Sequence, residues 1–203
     1  DTLLLNLGGK ASRDFESNIW DFALSYNYGE DKARRDNDQD KVSRNDVRSA
    51  ASYNRLLTEL FYLGFGTNFL YDEISDIDYR VVLNPTIGHF LIKDNTYKLK
   101  IEGGPSYIFE KAGDVRDDYP ALRIANGFEW AISCTSKIFQ TAESLFDAGD
   151  SDNYIINAEL GVEAAISTAL SLVVTLRDNY DNQPAAGKKR NDLAMITALK
   201  VAL

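Results

Sequence analysis

The sequence predicts an all-β fold, an antiparallel up-and-down transmembrane β-barrel, and three observations carry that prediction. Large apolar residues take every second position over long stretches, as at Trp20, Phe22, Leu24, Tyr26 and Tyr28, with Asp21, Ala23, Ser25 and Asn27 between them. A period of two puts one set on each face of a strand. The alternating stretches also reach or exceed the roughly 9 to 11 residues that a tilted strand needs to cross a bilayer, which is longer than most soluble strands. Finally, short connections alternate with longer polar ones, the habit of outer-membrane barrels.

Taken in order, the period gives about eleven strands. The first, near 3–12, has Leu3, Leu5 and Leu7 on one face, and the second is 20–28. The third, near 46–57, turns Val47, Ala51, Tyr53 and Leu57 outward. The fourth, near 59–72, sets Phe61, Leu63, Phe65, Phe69 and Tyr71 against Tyr62, Gly64, Gly66, Asn68 and Asp72. The fifth (78–92) presents Tyr79, Val81, Leu83 and Ile87; the sixth (96–110) presents Tyr97, Leu99, Ile101, Tyr107 and Phe109. The seventh (119–133) shows Leu122, Ile124, Phe128, Trp130 and Ile132. The eighth (137–146) is the weakest, because neither of its faces is consistently apolar. The ninth (154–167) carries Tyr154, Ile156, Ala158, Leu160, Val162, Ala164 and Ile166. Leu170, Leu172, Val174 and Leu176 mark the tenth, and Leu193, Met195, Leu199, Val201 and Leu203 the eleventh. The aromatics expected to face lipid are Trp20, Phe22, Tyr26, Tyr28, Phe61, Phe65, Phe69, Tyr71, Tyr97, Tyr107, Phe109, Phe128 and Trp130. Many sit near strand ends, where amphipathic rings meet the headgroup level.

Short links are expected at 15–17, 57–58, 94–95, 134–135 and 167–168, and long ones at 30–45, 73–76, 111–118, 149–153 and 182–191. The mixed-charge loop with Arg34, Arg35, Asp36, Asp38 and Asp40 reads as a solvated external one, with docking of a partner or lipopolysaccharide as its other use. This alternation puts the chain end on the short-turn, periplasmic side and Asp1 on the outer side. Bacterial single-chain barrels have even strand numbers with both termini periplasmic. The natural protein is therefore expected to have about twelve strands, the first lying before Asp1, with residues 1–203 forming about eleven in a single domain. Pro85 and Pro105 should fall opposite one another beside Gly88, Gly103 and Gly104, with a bulge or kink at a barrel corner or a widened lumen.

Composition narrows the partners. A net charge of -9 argues against nucleic acid, which needs clustered Lys and Arg. The single Cys134 cannot form an internal disulfide and reads as a turn residue. No apolar run approaches the roughly 18 residues of a spanning helix, and no leader pattern opens the chain, so an exported protein would already have lost it. Gly8-Gly9-Lys10-Ala11-Ser12 lacks the spacing of a phosphate loop, and Asp147, Asp150 and Asp152 do not match a calcium loop. No cofactor and no metal are expected.

The stretch from Asn182 to Leu193 (NQPAAGKKRNDL), followed by a final alternating strand, resembles the last hairpin of the putative salt-induced outer-membrane protein family. Asp78-Tyr79-Arg80 leading into Asn84-Pro85-Thr86-Ile87-Gly88, and Asp118-Tyr119-Pro120-Ala121-Leu122-Arg123, are similar to its middle strands. The resemblance runs in order along nearly the whole chain and implies a barrel without supplying a mechanism. Similar proteins open with a further strand ending in a Gly-Asn-Thr turn, and they usually end in an aromatic where this chain has Leu203.

With the apolar set toward lipid, the alternate set faces a lumen: Lys10, Arg48, Arg80, Lys98, Lys100, Glu102, Arg123, Glu129, Glu159, Glu163, Arg177 and Lys200. Lys98, Lys100 and Arg123 should pair with Glu102 and Glu129. The expected role is non-enzymatic: a structural or complex-forming component of the bacterial outer membrane, touching lipid, lipopolysaccharide and other envelope proteins. The alternatives are a narrow channel for small polar or ionic solutes and a soluble lipocalin-like barrel around an apolar ligand. Catalysis by a nucleophile and a His base is not expected, since the single His89 belongs to the apolar side near a turn.

Overall fold

Because the period of two persists through so much of the chain, extended backbone is its lowest-energy state, and each strand pairs with its sequence neighbour. The computed structural model describes the backbone at 2–31 and 41–201, and the side chains there other than at 2–4, 10, 12, 14, 31, 41 and 201. It contains β1 (Thr2–Phe15), β2 (Asn18–Asp31), β3 (Lys41–Leu56), β4 (Phe61–Asp72), β5 (Ile77–Lys93) and β6 (Tyr97–Ala112). β7 (Val115–Ala131), β8 (Ser136–Asp147), β9 (Tyr154–Ala165), β10 (Leu170–Asp181) and β11 (Asn191–Val201) follow. All are antiparallel in one 11-stranded sheet ordered as in the sequence. The sheet curls into a nearly closed barrel in which β1 and β11 approach one another, without a ladder joining them among the described residues. β1 starts at the end where Thr2 pairs with Asp31, and β11 finishes at the opposite end, where Val201 pairs with Leu170.

Register fixes the two faces. Leu24, Phe65, Ile87, Ile101, Leu122, Leu160 and Met195 are exposed on the outer face, while Asn27, Asp46, Arg80, Asn84 and Thr175 are buried inside. This is opposite to a soluble lipocalin-like barrel, which encloses its apolar face. The weak alternation of the eighth strand has a local cause. On the outer face of β8, Gln140 accepts a hydrogen bond at 2.8 Å from Asn126 of β7, so two amides satisfy one another where apolar residues were expected.

Several connections differ from the expected lengths. The polar stretch 111–118 is not a loop: Lys111 pairs with Arg116 and Glu110 with Asp117, and only Gly113-Asp114 turns the hairpin. Gly113, at φ 58°, takes the left-handed backbone that this tight turn requires. β2 and β3 likewise extend into the stretch expected as the first long loop, as far as Asp31 and from Lys41. Arg34, Arg35, Asp36, Asp38 and Asp40 lie outside the described residues, as do Asp1, Leu203 and the side chains of Leu3, Lys10 and Val201.

Pro85 and Pro105 do come opposite one another, but without a bulge. The β5–β6 ladder holds one register at Leu83–Tyr107 and again at Ile87–Gly103, and no pairs form between. Neither proline has an N–H to donate, so the ladder lapses without slipping. The backbones are close there, and a Cβ at Gly104 would run into the Pro85 carbonyl oxygen. On the inner side Ser106 Oγ bonds Asn84 Oδ1 at 2.7 Å, bridging the gap with side chains.

Candidate functional site

The inward columns of the strands surround a cavity of about 780 Å³. Its charged lining is mixed, with Arg48, Arg80, Lys100, Arg123, Arg177 and Lys200 against Glu102, Glu143, Glu159 and Glu163. Inside a barrel such charges are retained only when they pair or meet water, and they pair here in three tiers.

At the short-turn end Lys137 Nζ lies 3.0 Å from Glu129 and 3.7 Å from Glu163, and Lys200 Nζ lies 3.0 Å from Glu163. In the middle tier Glu102 accepts from Lys100 (2.7 Å), Arg123 (3.0 Å) and the Tyr62 hydroxyl (2.5 Å). Arg123 reaches on to Glu143 at 2.5 Å, and Arg177 meets Glu159 at 2.6 Å. At the long-connection end Asp46 accepts from Asn27 and Arg44, with Arg48 at 3.2 Å, while Arg80 bridges Glu110 and Asp181.

Most of the expected inward charges therefore converge. Lys100, Glu102 and Arg123 pair as the sequence implied; Glu129 instead pairs with Lys137, and Lys98 is exposed and makes no ion pair among the described residues. Both lie outside the cavity lining, near the short-turn rim. Lys10 sits opposite Ala23 in β1, its side chain being outside the described residues. Glu143, Glu110, Asp46 and Asp181 complete the network but were not singled out from the sequence. The signal existed for Glu143, since its position in β8 matches the inward residue Ala125 in β7, but the poor alternation of that strand hid its face.

The aromatics expected outside occupy the outward columns. At the short-turn end Trp20 packs on Phe22 and Tyr53, and Tyr97 stacks with Phe128 and Trp130. At the other end Tyr107 packs on Phe109, and Tyr154 on Phe146 and Tyr180.

One part of the interior is apolar, which the sequence reading did not anticipate. Val82, Ile108, Tyr119, Ala121, Leu145 and Ile155 form a buried cluster on the inner wall of β5 to β9. The mouth above it is crossed by the β10–β11 connection, 182–190. Its Lys188 donates to the Ile74 carbonyl at 2.9 Å, in the turn between β4 and β5, and its Gln183 donates to Asp150 at 2.9 Å. A second cavity of about 50 Å³ lies under this strap and shares Arg48, Leu70, Arg80, Ile155, Asn157 and Asn179 with the first. The lumen thus narrows at the arginine tier before it reaches the strap.

Other candidate chemistry has structural uses. Asp147 caps the β8–β9 loop by accepting from Gly149 at 2.7 Å and Asn153 at 3.1 Å, and Asp150 accepts from the Asp152 amide at 3.0 Å. Cys134 is exposed in the β7–β8 turn. His89 stands in an outward column between Phe61 and Ile101.

A family model described as a protein of unknown function, DUF481, matches residues 1–203. The chain belongs to the DUF481 family. That description carries no response to salt, so the resemblance drawn from the Asn182–Leu193 stretch extends to a barrel family and not to the salt-induced name. No curated protein matches this DUF481 chain significantly. Among solved structures, its fold is similar to that of the NanC porin, crystallised in a rhombohedral form. The TM-score is 0.58 at 9% identity, over 98% of this chain and 99% of that one. The DUF481 chain thus has a porin-like barrel fold.

Proposed function

We propose that this chain is a non-enzymatic outer-membrane barrel whose lumen passes small polar or ionic solutes. The observation that carries the reading is the 780 Å³ cavity, which runs through three tiers of paired charges instead of being filled by side chains. The outer face supports the location. Tyr97 and Tyr107 stand about ten residues apart on β6, which for a strand rising about 3.3 Å per residue at about 40° tilt is roughly 25 Å of height. That equals the apolar band of a transmembrane barrel. The outward aromatics Trp20, Phe22, Tyr26, Tyr28, Phe61, Phe65, Phe69, Tyr71, Tyr97, Tyr107, Phe109, Phe128 and Trp130 are then in contact with lipid.

No catalytic step is assigned, because His89 stands on the outer face while the carboxylates of the lumen, Glu159 among them, are held by ion pairs. The strap across the mouth favours a second reading, a non-conducting barrel of structural or complex-forming role beside lipopolysaccharide and other envelope proteins. Single-channel recording in planar bilayers separates the two. Discrete, ohmic openings are expected of a channel, and a protein that inserts but never opens would overturn that reading.

A further inference from the structure

The geometry points to an oxyanion-binding site at the narrowest part of the lumen, made by Arg48 of β3 with Arg177 and Asn179 of β10. Arg48 reaches across the interior, its Nη1 lying 3.2 Å from Asn179 Oδ1. That contact consumes the acceptor of the amide and leaves its donor, Nδ2, with no partner among the described residues. Two residues earlier on the same face, Arg177 uses Nε on Glu159 and leaves Nη1 likewise without one among them. The two guanidiniums are also near enough to repel one another. Unpaired donors and like charges thus coincide, and buried donors without acceptors are rare unless something supplies the acceptor.

The acidic partners do not supply it. Asp46 and Asp72 pair with Arg48 from behind, with side chains only 2% and 8% exposed, and neither lines the main cavity, whereas Arg48, Arg177 and Asn179 all do. Glu159 also lines the cavity but is spent on Arg177 Nε, so the donors left over at this level are Arg177 Nη1 and Asn179 Nδ2. A carboxylate or phosphate suits them, since its oxygens accept from a guanidinium fork and a neighbouring amide together. The inference rests on the channel reading only for the route by which the anion arrives.

The test is calorimetric titration of acetate and, separately, of inorganic phosphate into the detergent-solubilised full chain and into Asn179→Asp and Arg177→Gln variants. Millimolar binding of at least one anion is expected in the parent. Asn179→Asp replaces the Nδ2 donor by an acceptor oxygen of the same shape and adds a competing negative charge beside Arg48, so it should keep the barrel folded, as judged by heat-modifiable gel migration, and weaken binding about tenfold or more. Arg177→Gln should weaken it as well. Phosphate binding without acetate binding marks a tetrahedral oxyanion, and binding of both a carboxylate-sized acceptor site. Absence of binding by either anion in the parent, or equal binding by the parent and folded Asn179→Asp, overturns the proposal. A protein that binds but never conducts overturns the channel reading alone.

Discussion

Replacing Arg123 by Leu tests whether the ion pairs hold the barrel or merely decorate it. Its guanidinium, 13% exposed, joins Glu102 at 3.0 Å and Glu143 at 2.5 Å. The two carboxylates are left in different positions by its loss. Glu102 keeps Lys100 at 2.7 Å and the Tyr62 hydroxyl at 2.5 Å, but Glu143 keeps only Asn157 Nδ2 at 3.4 Å. A stranded interior charge costs about 3–5 kcal/mol. Lys137→Ala, which breaks a pair with the half-exposed Glu129 near the rim, should cost no more than about 1 kcal/mol. The assay is guanidinium unfolding in lipid vesicles, followed by Trp20 and Trp130 fluorescence. With a slope of about 4 kcal/mol per M, Arg123→Leu should lower the midpoint by about 1 M. Adding Glu143→Gln removes the stranded charge and should recover at least half of that loss. Equal effects for Arg123→Leu and Lys137→Ala, or no recovery in the double variant, would refute the reasoning.

Other consequences are open to measurement. A Cβ at position 113 would lie 3.8 Å from that of Ala185 in the strap, the mean spacing in disulfides. Gly113→Cys costs about 1–2 kcal/mol for its left-handed backbone; with Ala185→Cys, in a Cys134→Ser background, the oxidised pair should still lock the mouth, lowering conductance until reductant is added, and unchanged currents in the disulfide-bonded form would show that the strap is no gate. Gly104→Ala should destabilise by about 1–3 kcal/mol, because the Pro85 carbonyl cannot yield, whereas Gly103→Ala, whose Cβ would meet nothing nearer than 3.6 Å, should be neutral; similar unfolding midpoints for the two would contradict the close approach of the strands. In the β5–β6 turn, the amides of Tyr97 and then Thr96 hold the Asp94 carboxylate below its ordinary pKa of 3.8. A depressed folded value means that this stabilisation is complete above the unfolded pKa and is lost as pH falls through the folded one, so the Tyr97 amide resonance should titrate below pH 3.8, and a midpoint at or above it would exclude the capping role. Trp20 and Trp130 should be quenched by brominated lipid and spared by aqueous iodide; the reverse would place the outer face in water.

The sequence made the outer face legible and left the interior partly hidden, for physical reasons. β4 alternates cleanly because its outer column, with Leu63, Phe65 and Phe69, is apolar and exposed while its inner column faces a polar lumen. Where both sides are alike, the period disappears. Residues 80–83 of β5 run Arg-Val-Val-Leu because Val82 joins the apolar cluster inside while Val81 and Leu83 lie outside. At 114–118 successive residues of both faces are exposed, so Lys111, Asp117 and Asp118 resemble a loop while being paired strand. Ladder neighbours such as Arg177 and Glu159 can be counted from register, but contacts across the lumen cannot. Arg48 with Asn179, and Lys188 with Ile74, are set by barrel curvature, which no local pattern encodes.

The inner wall of the barrel is not uniform around its circumference. The β5–β6 wall lacks backbone pairing at 84–86, and a wall without ladder bonds must be braced from inside. Ser106 with Asn84 supplies part of the brace, and the Val82, Ile108 and Leu145 cluster packs beside it with larger side chains. Elsewhere, β1, β2 and β11 border the seam, where β1 and β11 approach without a ladder among the described residues. Their inward columns carry Gly8, Ala23, Ser25 and Ala198, all of which line the main cavity. Small side chains along these columns leave volume that larger ones would consume. The width of the cavity is set in part by them. Exchanging Ala23 or Ala198 for Leu should narrow it without touching an ion pair, and conductance that ignored both substitutions would mean that solutes do not travel along this wall.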